Sequence, residues 1–217
     1  MKYFSYDSTF SRVMIKICYA CLLNLLWLIC SLPIFTIGAS TTALYYACLK
    51  IVREENFNAA KLFFHSFKQN FKQATELWLI MLSIGVLLGG DAYILNHLRT
   101  STTGGTAVFW TILMALIIAA AVVYVIILLY LFPLLASVEN SNLAMIKNAF
   151  LIGTHYLFST ILMFAIHFVM FYIIVAVFTP MFLLGEGLVA MICSWLIKNI
   201  LKSVTFDPNP EPPISED

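Results

Sequence analysis

The chain carries few charged residues. Asp, Glu, Lys and Arg together form 11% of its 217 residues, whereas hydrophobic residues form 62%. Soluble domains carry about 25% charged residues. A soluble fold of this length has too little interior to hide so much apolar surface, so the composition excludes an ordinary soluble domain. Lipid must instead solvate much of the chain.

Motifs for catalysis, metal binding and nucleotide binding are missing from the sequence. It has no Walker A loop, no H-E-x-x-H, no G-x-S-x-G and no dinucleotide-binding fingerprint. Its five cysteines are scattered, and the C-x-x-C of Cys18 and Cys21 lacks the second ligand pair that a zinc site requires. We therefore predict no enzyme activity, no catalytic residue, no metal and no cofactor.

Long uncharged stretches dominate what is present. Residues 107–132 hold no charged side chain across 26 positions, and residues 156–179 hold none across 24. A helix crosses the bilayer core with roughly 20 apolar residues, and these runs lack the alternation of barrel strands. The pattern predicts an all-α, polytopic transmembrane helix bundle with five to six spans. The expected spans are residues 17–37, 74–95, 107–132, 156–179 and 181–200, with residues 43–52 as the sixth.

The short segment 43–52 decides between five and six spans. It is either a short, half-buried second span or a helix lying at the membrane interface. Ten residues are too few to cross unaided, so a span there must extend back through Ile37 at a tilt or be shielded by neighbouring helices. With six spans, eleven of the 12 basic residues share one side and only Arg99 lies on the other. With five spans, the split is four against eight. Because basic residues accumulate on the cytoplasmic side, six spans with both termini in the cytoplasm are favoured.

The spans form one predicted integral membrane domain, residues 1–206. Residues 207–217 are rich in proline and acidic side chains, which predicts a disordered tail. Residues 97–106 are polar and contain two adjacent glycines, so a loop is expected between two spans there. Pro133 and Pro180 are expected to end the spans that precede them.

A basic, aromatic stretch at residues 57–73 predicts an amphipathic helix at the cytoplasmic interface. Aromatic and basic side chains recur there at helical spacing in two neighbouring stripes. Two roles are open: the helix anchors the protein at lipid headgroups, or it docks a cytoplasmic partner such as a transport ATPase. Nucleic acid is not an expected partner, because the stripe is small and beside apolar residues. The candidate residues are Lys61, Phe64, His65, Phe67, Lys68, Phe71 and Lys72.

Four polar residues inside or near the spans are candidates for a functional site. His167 lies near the middle of an apolar run, where an ionisable group is costly and faces protein or water. It either relays protons or contacts substrate, or it is a neutral imidazole bonded to a neighbouring helix. Asp91 and Glu186 are predicted near the outer ends of their spans, where they either line a vestibule or lie wetted at the interface. Asn24 is expected to bond between helices.

Two N-terminal stretches carry a family resemblance. NLLWLICSLPIFTIGASTTALYYACLKIVREE, residues 24–55, and FFHSFKQNFKQATELWLI, residues 63–80, resemble the opening of the YesL family of bacterial membrane proteins. The resemblance covers about the first third of the chain. It implies a compact multi-spanning protein, chiefly of Gram-positive bacteria, whose genes often lie beside carbohydrate uptake and degradation systems. It implies no catalytic residue.

Three functional hypotheses follow, besides an intramembrane enzyme, which the missing motifs make the weakest. The first is an integral membrane accessory of carbohydrate uptake, with the bilayer and carbohydrate ABC transporter subunits as partners. The second is a small secondary transporter that uses His167, Asp91 and Glu186. The third is a membrane sensor or scaffold that signals through a partner. All three place the chain in a bacterial cell membrane as a multi-pass protein.

Overall fold

The structure, a computed structural model, describes residues 9–53 and 58–204. Across these residues the chain is helical and forms no strand, as predicted. Its helices are α1 (Thr9–Cys30), α2 (Ile37–Val52), α3 (Ala59–Ser101), α4 (Gly105–Leu135), α5 (Asn142–His155), α6 (Leu157–Tyr172) and α7 (Gly185–Val204). A 3-10 turn at Ile34–Thr36 precedes α2, and the segments Ile173–Val177 and Thr179–Leu183 link α6 to α7. The predicted disordered tail, 207–217, and the boundary at 206 lie outside the described residues.

Helix α2 is the central element of the fold. Twelve of its 16 residues are buried, and they are distributed around the whole helix. It packs against α1, α3, α4 and α7. The close packing of α2 on α3 requires a small residue at Gly38, which lies against the Ala74 carbonyl and the Trp78 side chain of α3. An interfacial helix exposes one face to water, so this all-round burial favours the second-span interpretation of residues 43–52 over the interfacial one.

Helix α3 is continuous over 43 residues. At 1.5 Å per residue it is about 65 Å long, roughly twice the 30 Å thickness of a bilayer core. Its buried residues lie between Ala59 and Met81, where α2 covers it. Residues 59–73 are helical, as predicted, and form the first part of α3. The loop predicted for 97–106 is too long, since residues 97–101 belong to α3 and residues 105–106 to α4. The actual connection to α4 is residues 102–104.

The second half of α3 and most of α4 form an antiparallel hairpin with little cover from other helices. No residue among 82–101 or 105–129 is buried, although the α4 side chains are among the most apolar in the chain. The Tyr124 hydroxyl donates to the Met81 carbonyl at 3.1 Å near the base of the hairpin. The apolar hairpin therefore needs lipid or another membrane protein around it.

Two prolines act differently from the prediction. The span expected at residues 17–37 ends at Cys30, because Pro33 and the restricted residue before it interrupt the helix and α2 starts afresh at Ile37. Conversely, Pro133 lies inside α4, which continues to Leu135. The last span expected at 181–200 begins at Gly185, after a 3-10 turn that contains Pro180.

Four helical segments among the described residues are long and apolar enough to cross a membrane: Ile34–Val52, Ala59–Ser101, Gly105–Leu135 and Leu157–Val177. The apolar part of α1, Met14–Cys30, is shorter. Segment 43–52 alone is too short for a span, but the 19 residues of Ile34–Val52 fall within the range of about 17–25 that a spanning helix requires. The total of five to six spans stays a prediction.

Candidate intramembrane polar site

A cavity of about 440 Å³ lies between α1, α6 and α7. Two of its lining side chains are ionisable, His167 of α6 and Glu186 of α7, and they interact electrostatically. The rest of the lining is apolar: Trp27, Met170, Phe171, Ile174, Phe182 and Val189. The fold thus brings together two candidates that are 19 positions apart in sequence and places them in one largely apolar chamber.

His167 is half-buried, and a bond within its own helix orients its ring. Its Nδ1 lies 2.8 Å from the carbonyl oxygen of Met163, one turn earlier. A carbonyl only accepts, so Nδ1 donates, and in the neutral ring Nε2 is left as an acceptor. The sequence analysis offered a bond from His167 to a neighbouring helix. In the structure, Nδ1 instead donates to a carbonyl of its own helix.

Glu186 is held in place by the residues on either side of it. Gly185 lies against Met170 and Ile174 of the α6 segment, and Gly187 lies against the Ala20 carbonyl of α1. A side chain at position 187 would collide with that backbone oxygen. The first turn of α7 is therefore wedged between α1 and α6. This packing fixes the backbone position of Glu186, the carboxylate of this site.

Asn24 braces the same turn from α1. It is fully buried, its Oδ1 accepts from the Gly187 amide at 2.8 Å, and its Nδ2 donates to the Phe182 carbonyl at 3.3 Å. The first amides of a helix lack partners within the helix, so Asn24 caps α7 from another helix. The expectation that Asn24 bonds between helices is consistent with this geometry, but its capping role was not foreseen.

Trp27 of α1 also lines the cavity. Its Nε1 donates to the Thr41 hydroxyl of α2 at 3.1 Å, which fixes the indole between α1 and α2. Phe182 was missed altogether, because it belongs to the 3-10 turn before α7 rather than to a span. An aromatic side chain next to a proline break was the only sequence signal available for it.

Asp91 lies away from this cavity. It is exposed on α3 and lines a groove of about 360 Å³ with Ile94 and Leu95 of α3 and Leu113, Leu116 and Ile117 of α4. Within the described part of the chain, its carboxylate has no hydrogen bond or ion pair. The vestibule that was to contain both Asp91 and Glu186 is therefore not formed by this arrangement.

The basic stripe lies on the first half of α3. The side chains of Lys61, His65, Lys68 and Lys72 are exposed, whereas Phe67 is half-buried and stacks on the buried Phe63 at 6.2 Å between ring centroids. Phe64 and Phe71 are exposed at 43% and 38%. The helix begins at Ala59 and is capped by Asn58, whose side chain accepts from the amides of Ala60 and Lys61. The basic and aromatic groups thus share one exposed surface, while its location at the interface stays a prediction.

The fold and this site define an all-α protein with several helices long and apolar enough to span a membrane. Residues 20–92 match the model of a family described as "Protein of unknown function, DUF624". The match includes both stretches on which the YesL resemblance rests, although the narrower YesL identification stays a prediction. No curated protein and no solved structure matches the chain.

Proposed function

We propose that this protein is a non-enzymatic accessory of a carbohydrate uptake system in a bacterial cell membrane. In this role it docks a transmembrane helix of the uptake permease against the hairpin of α3 and α4. The N-terminal resemblance supplies the carbohydrate link. The observation that carries the docking role is the exposed carboxylate of Asp91 in the apolar groove of the hairpin.

Asp91 favours a protein neighbour over lipid. It lies beside Leu113, Leu116 and Ile117 in the groove. These three residues belong to α4, the most apolar of the four candidate membrane-spanning segments. An exposed carboxylate at lipid depth is costly, and such groups pair with a donor or a positive charge. A permease helix that carries a basic or amide side chain would satisfy Asp91, while its apolar side chains cover Ile94 and Leu95.

The basic stripe agrees with a cytoplasmic location of the α2–α3 connection. Lys61, Lys68 and Lys72 are exposed on the part of α3 that follows this connection, while Arg99 lies near the other end of α3. Basic residues favour the cytoplasmic side and its anionic headgroups. Six crossings, the arrangement that the charge distribution favours, leave the two ends of the described chain on the same side of the membrane, as cytoplasmic termini require.

Loss of the Asp91 carboxylate should release the permease. We expect the variant Asp91→Leu to recover at least about fivefold less permease in affinity purification from native membranes, because one charged pair in an apolar groove is lost. Asp91→Asn, which keeps the shape and a hydrogen-bonding group, should lose less. Quantitative mass spectrometry of the purified material measures both.

The matched control is Tyr93→Phe, on a side chain that is 80% exposed and not part of the groove; it should recover as much permease as the unmodified chain. Sugar uptake in a deletion strain carrying each variant should follow the same order. The accessory role is wrong if no transport subunit is recovered with the unmodified chain and deletion leaves sugar uptake unchanged.

A second candidate, a small secondary transporter, is favoured by the shared cavity of His167 and Glu186. Paired ionisable groups inside a membrane often mark proton or substrate pathways. Here Asp91 has no part, since it lines a different groove.

In proteoliposomes that contain only this chain, Glu186→Gln should then abolish the uptake of protons, followed with an entrapped pH-sensitive dye, because the exchangeable carboxylate is removed. Glu139→Gln, an exposed carboxylate between α4 and α5, should leave uptake unchanged. Uptake that survives the Glu186 change, or no uptake by the unmodified chain, rejects this candidate.

A further inference from the structure

The cavity between α1, α6 and α7 has the size of a ligand site but few polar groups. Its volume of about 440 Å³ falls within the range of roughly 300–1,000 Å³ typical of small-molecule pockets. Only His167 and Glu186 among its lining side chains are ionisable. A sugar would leave most of its hydroxyls without partners there, which is costly. The chamber suits an apolar molecule that bears one charge.

The aromatic lining indicates the sign of that charge. Trp27, Phe171 and Phe182 line the same cavity as the Glu186 carboxylate. The faces of aromatic rings attract cations, tryptophan most strongly, and a cation bound beside Glu186 favours the ionised carboxylate form of that side chain. Trp27 cannot swing away freely, because its indole N–H is bonded to Thr41. The other ionisable side chain of this wall, His167, already has its Nδ1 bonded to the Met163 carbonyl.

The position of the cavity indicates how a ligand reaches it. Phe171 and Phe182 are 65% and 51% exposed on the outer surface, and α6 belongs to a segment long and apolar enough to cross a membrane. The opening therefore lies beside a segment of membrane-spanning length, where lipid would surround it. A molecule that partitions into lipid enters sideways, past these two rings.

We infer that this cavity binds a lipophilic organic cation, with Glu186 as its counter-charge and Trp27, Phe171 and Phe182 as its aromatic walls. His167 is a positioning residue: its Nδ1 bond to Met163 holds the ring beside the carboxylate. The inference is independent of the accessory role, because the cavity and the Asp91 groove lie on different helices.

Tetraphenylphosphonium and tetraphenylborate test the inference directly, because the two ions have nearly the same size and apolar surface but opposite charge. Binding of each is measured by equilibrium dialysis against the purified full-length protein in lipid nanodiscs, with empty nanodiscs subtracted. We expect saturable binding of the phosphonium and at least about tenfold weaker binding of the borate, since only one sign is matched by Glu186.

Variants place the binding in the cavity. Glu186→Gln keeps the shape but removes the charge, so phosphonium affinity should fall at least about tenfold. Glu139→Gln removes an exposed carboxylate between α4 and α5 that does not line the cavity, so it should leave phosphonium affinity unchanged. The inference is overturned if both ions bind equally, if neither binds, or if a folded Glu186→Gln protein binds the phosphonium as before. The comparison of the two ions needs no variant, so it decides the matter even if Glu186→Gln does not fold.

Discussion

Replacing Gly38 with alanine should destabilise the protein by about 2 kcal/mol. A methyl group at this position would lie 2.5 Å from the Ala74 carbonyl oxygen and 2.5 Å from the Trp78 Cβ. Neither atom can rotate away, so α2 and α3 must separate. Overpacking of this kind costs about 1–3 kcal/mol, and the better helix propensity of alanine returns at most about 1 kcal/mol. The expected balance is a clear loss, because α2 is the centre of the core.

Gly90→Ala is the matched control, since Gly90 also lies within a long helix but has no atom within 4 Å of an added Cβ. It should be neutral or stabilising by up to about 1 kcal/mol. Thermal unfolding in detergent, followed by tryptophan fluorescence, measures both. Gly38→Ala should lower the apparent Tm by about 4–8 °C, at 2–4 °C per kcal/mol for a chain of this length. Equal Tm values for the two variants would contradict the close packing of α2 on α3.

Replacing Asn24 with alanine should cost about 2–3 kcal/mol. The change removes the acceptor of the Gly187 amide and the donor to the Phe182 carbonyl. Loss of a helix cap costs about 0.5–2 kcal/mol, and an unsatisfied buried polar group costs about 1–3 kcal/mol. These two terms overlap, because both count the Gly187 amide. Within a membrane there is little water to replace the lost partner.

Asn96→Ala provides the comparison, because Asn96 is exposed and its side chain only accepts from Arg99. Surface changes of this kind fall within about 0.5 kcal/mol. Hydrogen exchange of the backbone amides should further show faster exchange in the first turn of α7 for Asn24→Ala alone. If that turn keeps its protection, Asn24 does not cap α7.

The Asn24 brace also links stability to the cavity. Glu186 is the residue immediately before the Gly187 amide that Asn24 holds, and Phe182 carries both a braced carbonyl and a ring in the cavity wall. A single buried asparagine thus positions the carboxylate and one aromatic wall together. Loss of the brace should therefore loosen the site as well as the bundle.

Much of the helical architecture was predictable because hydropathy is a local property. The uncharged runs around residues 107–132 and 156–179 correspond to α4 and to α6 with its extension, and no strand occurs in the described residues. Helix ends were less predictable. Pro33 separates two helices whereas Pro133 lies inside one, since a proline near the last turn removes only one bond that neighbouring residues can compensate.

The sequence by itself determined that lipid must surround much of this protein. With 62% hydrophobic residues and few charges, long helices within a membrane were the arrangement that could accommodate the chain. Only the tertiary structure decided which helix lies at the centre, that the basic stripe continues directly into the hairpin, and that His167 meets Glu186 rather than Asp91. The physical reason is that hydropathy is a property of each residue and can be summed along the sequence without knowledge of the fold. Which faces meet depends on close approaches, such as those at Gly38 and Gly187, between segments far apart in the chain.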